Sequence, residues 1–395
     1  MTRKGYKHTE LGEIPEDWEV KTLGEVYSFK YGDGNTNPNN EGRYPVYGAN
    51  GIIGGYTKFN AENSVVIGHM GEYAGSVIWA SGKHFVTYNG TITKPKNTKT
   101  IDAKYGYYSL IIRNINNICA GSGYPFLAYD KLNIITISLP PLPEQRAIAS
   151  ALSDVDALIE ALDRLIDKKR KIKQGTMQQL LSGKKRLKGF SKGKGYKHTE
   201  LGEIPEDWEV KTLGEIGEVL MCRRIMKHQT TSHGDVPFYK IGTFGGQADS
   251  YISIKLYNEY KEKYSYPSKG AVLFSAAGTI GRKVIFNGKP SYFQDSNIVW
   301  IDNNELLVKN KFLYYCYDKI HWNTENGGVV NRLYNNNIKY TRFPLPSLPE
   351  QRAIASVLSD MDAEIEALEA KRNKYTRIKL GMMQDLLTGR VRLKF

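Results

Sequence analysis

The chain states one sentence twice. The string GYKHTELGEIPEDWEVKTLGE runs from Gly5 to Glu25 and returns unchanged from Gly195 to Glu215. A second string, LPEQRAIAS, runs from Leu142 to Ser150 and returns from Leu348 to Ser356. The stretches between the copies hardly match. A spacing this long is too great for a solenoid repeat and marks a duplicated module. Identical frames around unlike inserts predict one scaffold presenting two different surfaces.

The 395 residues suffice for two or three domains with separate cores. The net charge of +14 favours a polyanionic partner, nucleic acid being the commonest. A solvated basic surface is the plain alternative. Cys119, Cys222 and Cys316 are far apart and form no CxxC pair or disulfide framework, as in a reducing compartment. The N-terminus lacks the apolar core of a signal peptide, and no apolar run is long enough for a membrane span. A cytoplasmic location is the expectation.

Each half has three parts. In the shared opening segment, IPEDW (Ile14 to Trp18, Ile204 to Trp208) suggests a turn and an anchoring indole. The variable blocks, about 26–141 and 216–347, hold short runs rich in Val, Ile and Tyr, bounded by Gly and Asn, which read as strands. They share an order. Tyr44-Pro45-Val46-Tyr47-Gly48 answers Val236-Pro237-Phe238-Tyr239-Lys240, and VVIGHMGEYAGSVIW answers VLFSAAGTIGRKVIF, a strand, a Gly-rich turn and a strand. One mixed α/β fold, occurring as two similar α+β domains, is expected.

Long helices follow, over about 143–181 and 349–387. Pro143 and Pro349 suit a first helical turn, and Glu144 and Glu350 suit the positive end of the helix dipole. Ile148, Leu152, Val155, Ile159, Leu162 and Ile166 step by four and three, as do Ile354, Leu358, Met361, Ile365 and Leu368, then Arg372 and Tyr375. Gly183 and Gly389 stand where helices stop. About 38 residues give a rod of roughly 57 Å. The shared register favours pairing of the two helices with each other over separate burial in their own domains; an antiparallel coiled coil with approximate two-fold symmetry is the expectation, and parallel pairing, with both blocks at one end, the alternative. The segments are therefore 1–141, a first variable domain with its opening segment; 142–182, the first helix; 183–194, a basic linker; 195–347, the second such domain; and 348–395, the second helix and tail.

No catalytic signature stands out. Pro140 and Pro141 are flanked by leucines, which is not the tetrapeptide of an adenine methyltransferase, and there is no GxxxxGK[ST] phosphate loop. The seven histidines show no metal-ligand spacing. The stretch from Lys168 to His198 is basic without an acid. Its Lys168, Lys169, Arg170, Lys171, Lys173, Lys184, Lys185, Arg186, Lys188, Lys192 and Lys194 suit nucleic-acid phosphates, a partner surface or plain solvent.

Base edges are read by side chains with paired donors and acceptors, and aromatic rings pack on bases and sugars. Candidates in Gly-rich turns of the first block are Lys30, Asn35, Asn37, Tyr47, Asn50, His69, Tyr73, Lys83, Tyr88 and Asn89. In the second they are Lys240, Thr243, Phe244, Thr279, Arg282, Gln294, Asp295, Ser296, Asn297, Arg332 and Asn335.

The frame IPEDWEVKTLGE, the junctions LPPLPEQRAIAS and LPSLPEQRAIAS, and the helix endings GTMQQLLSGKKRL and GMMQDLLTGRVRL resemble the specificity subunit of type I restriction–modification systems. The inserts YPVYGANGIIGG, VPFYKIGTFGG and YFQDSNIVW resemble its target-recognition domains. The resemblance implies a non-catalytic subunit that reads a split double-stranded DNA site, one half per domain, with a spacer set by the helices. It implies two methyltransferase subunits using S-adenosylmethionine and restriction subunits using ATP and magnesium, with no cofactor and no metal on this chain. Helices and frame would dock the methylating subunits, placing Glu144, Gln145, Arg146, Glu350, Gln351 and Arg352 at that surface. A single-chain DNA methyltransferase or nuclease, and an orphan DNA-binding decoy, stand as alternatives.

Overall fold

A computed structural model describes residues 3–34, 41–120, 123–190, 195–320, 322 and 332–393. Internal contacts divide the chain into two units. One comprises residues 1–164 and 369–395, the other residues 165–368. Each long helix therefore contributes one part to each unit.

In the first unit, β1 (Tyr6–Thr9) and β2 (Gly12–Pro15) form a hairpin. β3 (Glu19–Thr22) leads into a single helical turn, α1 (Leu23–Val26), closed by a reciprocal Thr22–Glu25 capping box. The recognition block then lays down β4 (Tyr27–Tyr31), β5 (Tyr44–Gly48), β6 (Gly51–Tyr56), β7 (Ala61–Gly68), β8 (Val77–Val86) and β9 (Gly90–Pro95), followed by α2 (Ala103–Ile112) and α3 (Tyr129–Asn133). Its sheet has the order β4-β9-β7-β8-β5-β6. β10 (Thr136–Leu139) returns to pair with β3, Thr136 facing Thr22, just before α4 (Leu142–Leu181).

The second unit repeats this path. β11 (Tyr196–Thr199) and β12 (Gly202–Pro205) form the hairpin, and β13 (Glu209–Thr212) leads into α5 (Leu213–Ile216). β14 (Val219–Met221), β15 (Val236–Tyr239), β16 (Tyr251–Ile252), α6 (Ile254–Lys263), β17 (Val272–Ser275), β18 (Lys283–Ile285), β19 (Tyr292–Phe293) and β20 (Ile298–Ile301) make the block. α7 (Asn310–Cys316) and α8 (Asn335–Lys339) follow, and β21 (Arg342–Leu345) pairs back on β13 before α9 (Leu348–Leu386). The order β14-β20-β17-β18 matches β4-β9-β7-β8. The parallel pair β15–β19 matches the parallel contact of β5 with the end of β8. The common order read in the unlike inserts is thus a common fold. What differs is decoration, above all α6, which stands between β16 and β17, where the first block runs directly from β6 to β7.

The pairings β3–β10 and β13–β21 have a consequence for modularity. Each block leaves the frame and re-enters it at one place, so its ends are fixed whatever lies between them.

Of the apolar stripes, Ile148, Leu152, Leu162 and Ile166 on one helix and Ile354, Leu358 and Ile365 on the other are buried, while Val155, Ile159, Met361 and Leu368 are half-buried. Within the first unit Asp163 pairs with Arg372 (3.1 Å) and Asp156 with Lys379 (2.6 Å). Within the second Glu364 pairs with Lys169 (2.6 Å), and Asp362 with Lys173. Numbers rise on one helix as they fall on the other, so the pairing is antiparallel. A tyrosine from each block joins these bridges. Tyr108 on α2 donates to Asp156 (2.7 Å), and Tyr315 on α7 donates to Asp362 (2.8 Å). Neither tyrosine belongs to the repeated strings, yet both make the same contact.

A buried lock fastens each opening segment to a helix start and a helix end. Trp18 is fully buried, and its indole N–H donates to Glu144 Oε2 (3.0 Å). Arg392 donates to both Glu144 oxygens (2.9 and 2.6 Å) and to both oxygens of Asp17 (2.9 Å each). In the second unit Trp208 donates to Glu350 (3.0 Å), and Arg186 binds Glu350 (2.8 and 2.6 Å) and Asp207 (2.7 and 3.0 Å). Each indole removes about 200 Å² from water, worth roughly 5 kcal/mol before chain entropy. Neighbouring Gln145 accepts from Asp102 N–H and donates to the carbonyls of Thr100 and Pro140; Gln351 does the same with Lys309, Leu307 and Pro346.

Gly183 and Gly389 end the helices at φ +71° each, and a Cβ there would meet the proline ring of Pro205 at 2.3 Å or Pro15 at 2.4 Å. Gly389→Ala is therefore expected to lower stability by more than about 1 kcal/mol, through a strained left-handed backbone and this clash. Thermal unfolding checks it. Arg186→Ala strands a Glu350 that is 1% exposed and should cost about 3–5 kcal/mol in urea unfolding. Arg392→Ala should cost less, because the Arg392 side chain is 36% exposed against 5% for Arg186, and water reaches the vacated carboxylate.

Candidate nucleic-acid interface

In the first unit five segments converge beside the Gly-rich turn between β7 and β8. His69 N–H donates to Asn89 O (2.8 Å), Leu127 N–H to His69 O (2.9 Å), Gly32 N–H to Gly90 O (2.9 Å), and Thr87 N–H to Tyr47 O (3.0 Å). A ring cluster fills the junction. The His69 ring lies 3.9 Å from Tyr31 and 5.6 Å from Tyr88, and Tyr129 stacks on Tyr31 at 4.1 Å. The Tyr129 hydroxyl accepts the Tyr31 N–H, and burial pushes its pKa up to about 12. It therefore stays protonated.

Of the residues expected here, Asn50, Tyr73, Tyr88 and Asn89 are exposed on these turns. Lys30 is exposed at the end of β4, paired with Asp33 (3.2 Å). Three expectations need correction. Tyr47 is buried, edge-on to His84 at 5.4 Å, because it faces the sheet core. His69 is buried, its Nδ1 held 2.8 Å from Leu127 O, so it supports the turn and does not present an edge to DNA. Lys83 is exposed but pairs across from Glu62, at the far end of the β7–β8 hairpin from the turn. Asn35 and Asn37 lie outside the described residues.

The second unit gathers the corresponding segments. Ala276 N–H donates to Asn297 O (2.8 Å), Leu333 N–H to Ala276 O (2.8 Å), and Gln294 N–H to Tyr239 O (2.9 Å). Arg282 and Thr279 are exposed on the β17–β18 turn, and Asn335 at the start of α8. Arg282 Nη1 donates to Phe244 O (3.1 Å), and Arg332 Nη2 to Ser296 Oγ (2.7 Å). Lys240 pairs with Asp249 (2.8 Å), and Gln294 Oε1 accepts from Ile241 N–H (2.8 Å). Asp295, Ser296 and Asn297 are half-buried in the turn before β20. Phe244 is corrected to a core residue, 2% exposed and edge-on to Phe293. Thr243 closes its own turn through the Lys240 N–H and carbonyl, which occupies its hydroxyl.

Three residues escaped the sequence reading. Tyr31 at the end of β4 and Tyr129 at the start of α3 meet from distant parts of the sequence, and no local pattern announces them. Arg224 donates Nε to Asp295 Oδ2 (2.8 Å) from the segment after β14. Its signal was the Arg-Arg pair of MCRRIM, directly after a short strand.

The docking expectation also changes. Glu144, Gln145, Glu350 and Gln351 are at most 1% exposed and are spent on the locks, so they offer a partner no surface. Arg146 and Arg352 are exposed. Within the basic stretch, Arg186, Lys169 and Lys173 serve ion pairs inside the fold, whereas Lys168, Lys171, Lys184, Lys185 and Lys188 are exposed. Lys192 and Lys194 lie outside the described residues. Among the described residues no cluster of His, Cys, Asp or Glu could hold a metal ion, and no helix is long and apolar enough to cross a membrane.

The family described as Type I restriction modification DNA specificity domain matches this chain twice, at residues 15–174 and 205–376. A type I restriction enzyme specificity subunit of Haemophilus influenzae is 40% identical over 327 residues, covering 81% of this chain and 80% of that protein. The MjaVIII specificity subunit of Methanocaldococcus jannaschii is 28% identical over 413 residues, covering 96% and 94%. Among solved structures, the type I restriction–modification S subunit of M. genitalium shares the fold at a TM-score of 0.64 and 17% identity, covering 94% of this chain and 96% of that one. A chain from a structure on complex assembly and conformational transition of the type I R-M system has a TM-score of 0.51 at 15% identity, covering 96% and 99%.

Proposed function

The chain belongs to the type I restriction–modification DNA specificity family, and from that premise we propose how its parts divide the work. It is a non-catalytic DNA-recognition subunit. Segments 1–141 and 195–347 each read one half of a split double-stranded site. Helices 142–182 and 348–395 set the spacer and, with Arg146, Arg352 and the frame, carry two methyltransferase subunits; 183–194 links the halves. Restriction subunits join the same complex. S-adenosylmethionine belongs to the methylating partners and ATP with magnesium to the restriction partners, all in the cytoplasm.

The observation that carries this reading is the contrast between frame and turns. Both locks use the same residue types at the same places, so identical partners can be met twice. The turns between β7 and β8 and between β17 and β18 sit on the same sheet order yet present unlike side chains, so they suit unlike DNA. Asn50, Tyr73, Tyr88, Asn89 and Lys30 are the readers proposed for the first half-site. Lys240, Thr279, Arg282, Gln294, Asp295, Ser296, Asn297, Arg332 and Asn335 serve the second, some by positioning others. Exposed Lys168, Lys171, Lys184, Lys185 and Lys188 supply salt-sensitive phosphate attraction.

Replacing residues 26–141 by another recognition block should change one half of the bound sequence and leave the other intact, as read by selection from a random duplex library. A change in both halves contradicts modular reading. Inserting a whole number of turns into the helices should change the preferred spacer while both half-sites persist. An unchanged spacer contradicts the helices' role as a ruler. Incubated alone with DNA and labelled S-adenosylmethionine, the chain should transfer no label; transfer would favour a single-chain methyltransferase. Failure to co-purify with a methylating subunit would favour a decoy.

A further inference from the structure

The reading turns of the two units differ sharply in one residue type. Arg224, Arg282 and Arg332 stand on those of the second unit. Between residues 26 and 141 the only arginines are Arg43 and Arg113. Arg43 precedes β5, its guanidinium over the Tyr44 ring, and Arg113 ends α2. Neither is on a reading turn.

We propose that Arg224, held by Asp295, reads a guanine in the major groove of the half-site bound by the second unit, and that the first half-site is read without arginine. The inference rests on the DNA-reading proposal above. Guanine presents two acceptors, N7 and O6, on its major-groove edge, and a guanidinium fork matches them with two parallel N–H donors. The Arg224 side chain is 67% exposed. Its Nε is bound to Asp295 Oδ2, and its terminal nitrogens have no other partner among the described residues. The fork is therefore held from behind and open in front. Asp295, 19% exposed, is itself fixed. Asn297 N–H donates to its carbonyl (2.5 Å), the next residue, Ser296, adopts φ +49°, and Arg332 pins the Ser296 hydroxyl. Much of the rotamer freedom that DNA binding removes from a long side chain is thus lost in advance. A groove of 620 Å³ lined by Met221, Arg223, Arg224, Tyr260, Tyr264 and Asp295 opens beside it.

The same fork could bind a backbone phosphate, and the Asp295 carboxylate decides between the two. The Arg224–Asp295 pair carries no net charge, so its pull on a phosphate is weak. Two of its four remaining N–H donors still fit the neutral acceptors of guanine. Asp295 is a positioning residue in this account.

The test is selection of bound duplexes by the full chain, followed by titration against DNA carrying 7-deazaguanine at the selected position. The parent chain should select a guanine in one half-site. Arg224→Ala should lose that preference by about 10- to 100-fold, as expected for one bidentate base contact, with the other half-site unchanged. Removing N7 should weaken the parent by a comparable factor and Arg224→Ala no further. Asp295→Ala should lower the guanine preference and steepen the salt dependence by about one counterion, because it frees a charged guanidinium for phosphate. It should add nothing to base preference once Arg224 is gone, which a merely structural role would not produce. A split site whose selection ignores Arg224, or a uniform loss of affinity with a shallower salt slope, overturns the inference and leaves DNA reading standing. No sequence enrichment by the parent chain overturns both.

Discussion

Glu144 and Glu350 are carboxylates almost without access to water, and the frame is organised around keeping them satisfied. A buried carboxylate left alone costs several kcal/mol. Here each takes an indole N–H and a two-pronged arginine. The requirement joins three distant pieces of sequence: the tryptophan of the opening segment, the first turn of one long helix, and the arginine just beyond the end of the other. Asp17 and Asp207 hold the outer face of each arginine. Geometry of this kind tolerates little drift, because a displaced arginine strands a buried carboxylate and a displaced glutamate strands both the arginine and the indole. In the repeated strings the tryptophan of one string and the glutamate of the other are partners in both copies.

Closure at the frame explains how the inserts can differ. β10 returns to β3 and β21 to β13, so each block hangs from a fixed two-strand junction. Tyr108 and Tyr315 add a second attachment, from a helix of the block to an aspartate on the coiled coil. Between these anchors the sheet order is kept while the turns vary. One unit offers a cluster of tyrosines at its turns, the other a set of arginines braced by Asp295, Ser296 and the Phe244 carbonyl.

Much of this was legible in the chain itself. The long helices, their buried stripe, their glycine stops and the anchoring tryptophans all followed from spacing, because helix period and local backbone demands are written in neighbouring residues. The shared order of the blocks was legible from two aligned strand–turn–strand runs. What escaped was long-range and polar. Glu144 and Gln145 look like exposed helix-start residues, since nothing nearby reveals that Trp18 and Arg392 will cover the one and the backbone around Thr100 will occupy the other. Arg186 sits in a basic run that reads as solvated, yet two carboxylates claim it. Tyr47, His69 and Phe244 occupy glycine-rich stretches that suggest loops, but distant partners bury them: Tyr47 packs on His84, His69 is held at the Leu127 carbonyl and Phe244 packs on Phe293. Arg224 was overlooked because its partner, Asp295, is far along the chain.

The central claim is that the identical frame meets identical partners while the unlike turns meet unlike DNA. The most direct measurement maps methylated adenines across the genome of a host that expresses this chain with a type I methylating subunit. The account predicts one split motif, with two dissimilar halves around a spacer of constant length. A palindromic motif, a contiguous one, or methylation that ignores sequence would contradict it.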